Sequence, residues 1–485
     1  LTPARRFSYI VGEGESCHTA QTRFVGLLEN TLLKPSIEDI QESFSVETVT
    51  KEFFNQYVVL FKRFCSALES IVKKDSNLHN EIQRKNINQV EFVKKLMGQI
   101  VFLYFLQRKG WLGVPKGSNW GEGPKDFLRK LANQEYVDYV NFHNDVLQPL
   151  FYDTLATDRG HEAWSAILNC RIPFLNGGLF EPMGELDWKN NPISLPNNLF
   201  TNKSYVEEHV YGTGILDVFD RYNFTVSEAE PLEKEVAIDP EMLGKIFENL
   251  IEENRRKGLG AFYTPREIVH YMCQTSLSNY LFSKVKKNEL DITQEEIDLF
   301  VHIGDQASYY EKARMSGLSS YGQELPNSII DNARVIDETL SSVKVCDPAV
   351  GSGAFAVGMM SEIVRCRSAL TPYFNDVNDR TAYLFKRQVI QNSIYGVDID
   401  AGAVEIAKLR LWLSLVVDEE DVQQIKPLPN LDYKIVNGNS LLRIERGVFN
   451  NDLFSKLEIL KPAFFNETNH LEKINLKGQI DLIIN

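Results

Sequence analysis

The segment Val345–Phe355 places one carboxylate and two glycines between an apolar run and a predicted helix. The carboxylate is Asp347, and the glycines are Gly351 and Gly353. A glycine turn that opens a helix presents backbone N–H groups to a bound cofactor, and open α/β sheets bind ligands at the carboxyl ends of their strands. With Ala356 the turn also satisfies the dinucleotide pattern G-x-G-x-x-G/A. The segment therefore predicts a cofactor site without identifying the cofactor.

A second carboxylate, Asp398, ends the predicted strand of the segment Ser393–Asp400. A carboxylate has two acceptor oxygens and can bind both hydroxyl groups of a ribose. Asp398 lies 51 residues after Asp347 (398 − 347 = 51), whereas a dinucleotide turn is followed by its ribose acid after about 20 residues. This spacing weakens the nicotinamide interpretation. Asp400 fits the alternative role of a helix cap better than Asp398 does.

Strands and helices must alternate to bring these carboxylates to one edge of a sheet. The pattern predicts strands at 343–346, 393–398, 433–436 and 480–484, and helices at 354–366 and 401–415. Such alternation predicts an α/β fold with a doubly wound, Rossmann-like parallel sheet. Upstream, a helix is predicted from Pro240 to Glu253 with Asp239 as its cap, and another from Arg266 to Phe282. The chain before Pro240 is predicted to be mostly helical, because its aromatic residues recur at helical spacing and form core stripes.

Length and composition restrict the class of protein. A chain of 485 residues accommodates two or three domains. The net charge of −14 argues against a protein that coats nucleic acid through bulk charge, although a local basic cleft remains compatible with it. The six cysteines contain no Cys-x-x-Cys pair and form no ligand cluster with the eight histidines. We therefore predict no metal site and a reducing, cytoplasmic compartment. The longest apolar run, Ile100 to Leu106, is too short to span a membrane.

Three further segments place these features in a family. They are Gly260–Glu267, Gly438–Leu442 and Asp481–Asn485. Together with the two carboxylate segments they resemble the ordered motifs of the amino-group DNA methyltransferases, which make N6-methyladenine from S-adenosylmethionine. In that family a Tyr-Thr-Pro segment precedes the Asp-Pro-Ala turn. A Gly-Val-Asp-Ile-Asp strand, a Gly-Asn-Ser segment and an Asn-Pro-Pro-Tyr tetrad follow.

The resemblance implies roles for individual residues. Asn485 matches the catalytic asparagine, which accepts a hydrogen bond from the target amino group. Asp398 would bind the ribose of the cofactor, Asn439 would lie near its adenine ring, and Tyr263 with Thr264 would hold its methionine end. The full set of implied cofactor-binding residues is Tyr263, Thr264, Asp347, Ala349, Gly351, Gly353, Asp398 and Asn439.

The resemblance also predicts the organisation of domains and partners. Residues 1–230 resemble the helical connector of fused type IIG restriction–modification enzymes, with residues 1–40 as a candidate tail of an upstream nuclease. Residues 231–485 would form the methyltransferase domain, truncated at its C-terminus and carrying a helical insertion around residues 286–340. The implied partner is double-stranded DNA, with a nuclease upstream and a target-recognition domain downstream in a longer chain. Because Pro-Pro-Tyr does not follow Asn485 in this sequence, we expect the fragment to be inactive alone.

The favoured function is therefore the adenine N6-methyltransferase part of a restriction–modification or related phage-defence enzyme. Two alternatives from other classes stay open at this point. One is a nicotinamide-dependent oxidoreductase that uses the same glycine turn. The other is a non-catalytic helical scaffold whose cofactor domain has lost its activity.

Overall fold

The computed structural model describes most of the chain in two compact units. The described residues are 6–12, 15–29, 34–160, 162–175, 178–202, 206–207, 210–225, 233–240, 242, 244, 264–315, 324–377, 379–418, 427–442, 451–467 and 470–484. The first unit comprises Leu1–Leu250 and Glu420–Leu428, and the second comprises Ile251–Glu419 and Pro429–Asn485. Tyr263, Asn485 and most of the helix predicted at Pro240–Glu253 lie outside the described residues.

The first unit is mainly helical in its described part, as predicted. Its α-helices are α1 His18–Glu29, α2 Ile37–Ser43, α3 Val46–Lys74, α4 Ser76–Arg84, α5 Gln89–Arg108, α6 Phe127–Ala132 and α7 Ile215–Phe219. Two π-helical segments, His143–Leu147 and Pro149–Leu155, follow α6. Short 3-10 segments occur at Gly178–Phe180, Met183–Glu185 and Asn197–Leu199.

Helix α3 buries one face because its apolar side chains recur every three or four residues. The buried side chains of this face are those of Val49, Phe53, Tyr57, Leu60, Phe64, Leu68 and Val72. The helix begins after Ser45, whose hydroxyl oxygen accepts the Thr48 N–H at 3.3 Å. Helix α3 packs on α5, so the predicted aromatic stripe is part of the core of this unit.

Short strands accompany these helices. They are β1 Arg6–Ser8, β2 Trp164–Ser165, β3 Cys170–Arg171, β4 Val206–Glu207, β5 Val210–Tyr211 and β6 Glu233–Glu235. Strand β1 pairs with β6 in parallel, and the other four form two antiparallel pairs. The described strands of this unit form these two-stranded pairs only.

The second unit combines helices with a parallel sheet. Its helices are α8 Arg266–Lys287, α9 Gln294–Met315, α10 Asn327–Asp331, α11 Ala333–Ser342, α12 Ala354–Leu370, α13 Ala382–Asn392, α14 Ala401–Asp418, α15 Asn451–Asn466 and α16 His470–Ile484. A 3-10 segment, Thr371–Tyr373, follows α12. The strands are β7 Val345–Asp347, β8 Ile394–Asp398 and β9 Ile435–Asn437. Helices α8, α9 and α11 pack on α12, so the predicted insertion supplies two helices to the packing around α12.

The three strands form a parallel sheet in the order β7-β8-β9. Gly396 of β8 pairs with Asp347 of β7 and with Ile435 of β9. A side chain cannot replace this glycine freely, because its Cβ would lie 2.8 Å from Cγ2 of Val350. The close approach lets the residues after β7 pack directly on β8.

The parallel sheet confirms the α/β prediction, whereas the doubly wound order remains a prediction. A doubly wound sheet buries both faces of its strands. Cys346, in the middle of β7, is exposed in the described part of the structure. Helices α12, α13 and α14 all contact β8.

The strand predicted at 480–484 is wrong, because these residues belong to helix α16. A short apolar run is compatible with a strand or with a helix, and periodicity alone does not separate the two. The preceding residues include Glu472, Lys473 and Lys477, which favour helices, and they extend into the apolar run without a break. Lys473 and Ile480, two helical turns apart, are buried, whereas Leu482 is 84% exposed.

The described part of the chain contains no helix with the length and apolarity that crossing a membrane requires.

The glycine of β8 provides a test of this packing. Gly396→Ala should lower the free energy of unfolding by about 1–3 kcal/mol, the usual cost of overpacking a core. Gly438→Ala is the control, because its Cβ would lie 3.7 Å from Val397 Cγ1, an ordinary contact. Denaturant unfolding of both variants measures the difference. Equal stability of the two variants would contradict the packing described for β8.

Candidate cofactor-binding site

The site begins at Asp347, the last residue of β7. Its Oδ1 accepts the Ala349 N–H at 3.0 Å. Its Oδ2 is buried and accepts no hydrogen bond from the described residues. Burial raises the pKa of the Asp347 carboxyl; the Ala349 hydrogen bond opposes this shift, and the charge of Asp398 adds to it. Because an unsatisfied buried carboxylate is costly, this oxygen is suited to a ligand that brings a donor or a positive charge.

Strand β8 fixes the glycine turn through its last two residues. The Val350 N–H donates to the Val397 carbonyl oxygen at 2.9 Å. The Gly351 N–H donates to Asp398 Oδ2 at 2.8 Å, and the Asp400 N–H donates to Asp398 Oδ1 at 2.9 Å. Each carboxylate oxygen can accept a second hydrogen bond. Asp398 therefore holds the turn and still has acceptor capacity for a ligand.

Arg410 of helix α14 also fixes the glycine turn. This residue is not among the predicted site residues. Its side chain donates to the Ser352 carbonyl oxygen at 2.9 Å. Arg410 is 3% exposed, so this hydrogen bond is made away from water. A signal for it was present in the sequence, since Arg410 is a single charge within the apolar run Leu409–Leu413 and a buried charge requires a partner.

The two glycines of the turn are required for different reasons. Gly351 has φ +51° and Gly353 has φ +82°, backbone conformations that side chains disfavour. A Cβ on Gly351 would meet no atom within 4 Å, whereas a Cβ on Gly353 would lie 3.0 Å from Ala407 Cβ. Gly351 thus borders open space where a ligand can approach, and Gly353 lets α12 begin close to α14.

Thr264, half-buried, precedes helix α8, which packs near the turn. Cys273 of α8 donates its thiol hydrogen to the Phe355 carbonyl oxygen, with Sγ 3.9 Å from the oxygen. Gly358 of α12 permits this packing, because its Cβ would lie 2.6 Å from Val269 Cγ1. Burial, together with the charges of Glu362 and Asp347, raises the pKa of Cys273 to about 12. The thiol therefore stays protonated and is a packing group.

Asn439, the implied adenine-side residue, is exposed just after β9. Its Oδ1 accepts the Leu441 N–H at 3.0 Å and so shapes its own turn. Asn437 is not among the predicted site residues, and its Nδ2 donates to the carbonyl oxygens of Asp398 and Ile399, each at 3.0 Å. Asn437 thus fixes the backbone that carries the ribose-binding candidate.

The arrangement brings Asp347, Ala349, Gly351 and Asp398 together at the carboxyl edge of the sheet. Two carboxylates and an open glycine position can bind a ligand that carries positive charge and hydroxyl groups. Within the described residues, no group of three or more His, Cys, Asp or Glu side chains could hold a metal ion.

Two comparisons find parts of restriction–modification enzymes that are similar to this chain. Residues 392–485 match the Eco57I restriction-modification methylase family. This segment contains Asp398, Asn439 and Asn485 but begins after the glycine turn. A Methanocaldococcus jannaschii protein named RM.MjaORFECS2P, described as a putative type II restriction enzyme and methyltransferase, is 31% identical over 431 residues. The match covers 82% of this chain and 32% of the relative, so the chain spans about a third of that relative's length.

The type IIL restriction-modification enzyme MmeI, solved in complex with DNA, is similar at 15% identity over 80% of this chain and 41% of its own. The TM-score is 0.43, and at this value the likeness supports no inference about the fold.

The different surroundings of the two turn glycines predict different effects of the same substitution. Gly351→Ala should cost about 1–2 kcal/mol of stability for its left-handed backbone. It should also weaken binding of the expected cofactor, S-adenosylmethionine, because the methyl group enters the open space that a ligand would use. Gly353→Ala should cost more, since the new Cβ also meets Ala407. Denaturant unfolding and calorimetric titration measure the two effects. Normal binding by a folded Gly351→Ala variant would remove this position from the site.

The buried Oδ2 atom of Asp347 predicts that removing its charge has opposite effects on protein stability and on cofactor binding. Asp347→Asn should stabilise the ligand-free protein at neutral pH, because no charge is then buried. It should weaken cofactor binding about tenfold or more, the usual effect of losing a charged hydrogen bond. Thermal unfolding and titration of the cofactor would test both parts. A variant that is less stable and binds normally would contradict this role.

The pH dependence follows from the raised pKa of Asp347. Between the unfolded pKa of an aspartate, about 4, and the higher folded pKa, the Asp347 carboxyl is protonated to a greater extent in the folded protein than in the unfolded chain. The contribution of Asp347 to stability therefore falls as pH rises through its folded pKa. The stability advantage of Asp347→Asn should accordingly be small in acid and largest at neutral pH.

Proposed function

We propose that this chain, which carries an Eco57I restriction-modification methylase domain at residues 392–485, binds S-adenosylmethionine and forms the methyl-transferring part of a DNA adenine N6-methyltransferase. The methylase family and the name of the M. jannaschii relative support a DNA methyltransferase role. The cofactor and the target base are inferred from the motifs and from the chemistry of the site.

The observation that carries this proposal is the anionic edge of the sheet around Gly351. Asp347 and Asp398 lie close enough for the charge of Asp398 to raise the pKa of Asp347. S-adenosylmethionine carries a sulfonium and an ammonium charge, which two carboxylates attract. A nicotinamide dinucleotide brings a pyrophosphate to this turn, and the same carboxylates repel it. The charge of the site therefore favours the sulfonium cofactor over the dinucleotide.

The described residues fit this cofactor. Asp347 Oδ2 has no hydrogen-bond partner among them and would accept a donor from the cofactor. Asp398 would accept the ribose hydroxyl hydrogens with the lone pairs that Gly351 and Asp400 leave open. Gly351 provides open space for the approach. When bound, S-adenosylmethionine supplies an electrophilic methyl group.

The transfer requires a group that positions the target amine, and we assign this role to Asn485. Its amide oxygen would accept one hydrogen of the adenine amino group, which keeps the nitrogen lone pair directed at the methyl group. Duplex DNA must first flip the base out of the stack. Thr264 and Tyr263 would hold the methionine end of the cofactor, and Asn439 would lie near its adenine ring.

Double-stranded DNA is the proposed macromolecular partner. The M. jannaschii relative is about three times as long as the matching part. We therefore propose that the full-length protein adds a nuclease upstream and a target-recognition domain downstream. Such a domain would supply base contacts, whereas the methyltransferase part supplies the cofactor and the amine acceptor.

The proposal is tested by methyl transfer in the full-length protein. With tritiated S-adenosylmethionine, label should enter duplex DNA and be recovered as N6-methyladenine after digestion to nucleosides. Asn485→Ala should reduce the rate about 100-fold or more, by analogy with the loss of one transition-state hydrogen bond. Asn475→Ala is the control, because Asn475 lies on the exposed side of α16.

Two results would contradict the proposal. Label recovered in methylated cytosine would assign a different target base. An undiminished rate in Asn485→Ala, with normal cofactor binding, would exclude Asn485 as the amine acceptor.

A further inference from the structure

A cavity opens at the amino edge of the parallel sheet β7-β8-β9. It has a volume of about 520 Å³ and is lined in part by Lys344, Lys434 and Lys461. Lys344 immediately precedes β7, and Lys434 immediately precedes β9. The carboxylates of the cofactor site end the strands at the opposite edge. A strand of three residues spans roughly 10 Å, so this cavity is separate from the cofactor site.

The three lysines come from different parts of the chain, and two of them lie over tyrosine rings. Lys434 Nζ lies 4.1 Å from the centroid of the Tyr395 ring, and Lys461 Nζ lies 5.9 Å from that of Tyr433. Lys344 Nζ donates to the carbonyl oxygen of Asn392, which also lines the cavity. Cation–π contacts of this kind orient ammonium groups without neutralising them.

The charge of the lining is positive although the chain is acidic. Three lysines and one glutamate, Glu458, line the cavity, which gives 3 − 1 = +2 with all four ionised. Burial, together with the charges of Lys344 and Lys461, lowers the pKa of Lys434 to about 8. The lysines therefore repel one another, and an anion placed among them would relieve this repulsion.

We propose that this cavity is a binding site for a phosphate group. A phosphate dianion matches the charge of the lining, and lysines bind phosphate as point charges through their ammonium hydrogens. The volume is within the range of small-molecule sites. The Tyr395 and Tyr433 rings supply apolar walls beside the charge. The phosphate comes either from a free small molecule, which can carry two negative charges, or from the backbone of DNA, where each phosphodiester carries one. Both sources present anionic phosphate oxygens to the lysines.

Equilibrium titration with inorganic phosphate at constant ionic strength tests the site. The wild-type protein should bind phosphate saturably. Lys461→Gln and Lys434→Gln should each raise the Kd about tenfold or more, the usual effect of removing one charged hydrogen bond. Lys456→Gln is the matched control, because this exposed lysine on α15 does not line the cavity. Its Kd should equal that of the wild type.

The outcomes separate the proposal from a general effect of charge. No saturable binding, or the same Kd in all three variants and the wild type, would overturn it. Circular dichroism checks that the variants fold, and if Lys434→Gln unfolds, Lys461→Gln decides the result.

A short DNA duplex identifies the source of the phosphate. Displacement of bound phosphate by the duplex, lost in Lys461→Gln, would assign the site to the DNA backbone. Phosphate binding that the duplex leaves unchanged would assign it to a free phosphate compound. Cofactor binding is measured in parallel, because this site is independent of the proposed methyl transfer and the Lys461→Gln variant should keep its affinity for S-adenosylmethionine.

Discussion

The candidate site depends on one hydrogen bond, from the Gly351 N–H to the carboxylate of Asp398. It joins the turn after β7 to the end of β8. Gly351 has a positive φ, and this hydrogen bond fixes its backbone beside the end of β8. This hydrogen bond also brings the carboxylates of Asp347 and Asp398 close together, which costs free energy unless N–H donors and a ligand compensate. Ala349 and Asp400 supply two of these donors.

Other residues of the second unit also fix the turn and the end of β8. Arg410 of α14 donates a hydrogen bond to the Ser352 carbonyl oxygen. Asn437 of β9 donates to the carbonyl oxygens of Asp398 and Ile399. The positions of α12 and α14 in turn depend on Gly353, beside Ala407. The turn is therefore fixed by backbone carbonyls and N–H groups, and the carboxylate oxygens that remain available are those that a cofactor would use. A rigid turn of this kind lowers the entropy cost of binding.

The sequence predicted the elements whose signals are local. The strand before Asp398, the helix after it and the glycine turn all carry clear patterns, and the structure has them within a few residues. The run at 480–484 was mispredicted because five apolar residues do not distinguish a strand from the end of a helix. The sequence indicates that Arg410 needs a partner, but it does not predict that this partner is the Ser352 carbonyl oxygen or that Asp347 keeps one oxygen without a described hydrogen bond. Both depend on which groups meet in three dimensions. Gly353 was predicted to line the cofactor, and the structure adds its packing role.

We propose that the carboxyl edge of this sheet binds S-adenosylmethionine through Asp398. Calorimetric titration of S-adenosylmethionine and of a nicotinamide dinucleotide, into the wild type and Asp398→Asn, tests it most directly. The asparagine can keep an acceptor for the Gly351 N–H, but it removes the charge and the second oxygen, which accepts the Asp400 N–H and is a candidate ribose acceptor. We predict saturable binding of S-adenosylmethionine only, with a Kd raised about tenfold or more in the variant. Binding of the dinucleotide, or an unchanged Kd in Asp398→Asn, would contradict the account.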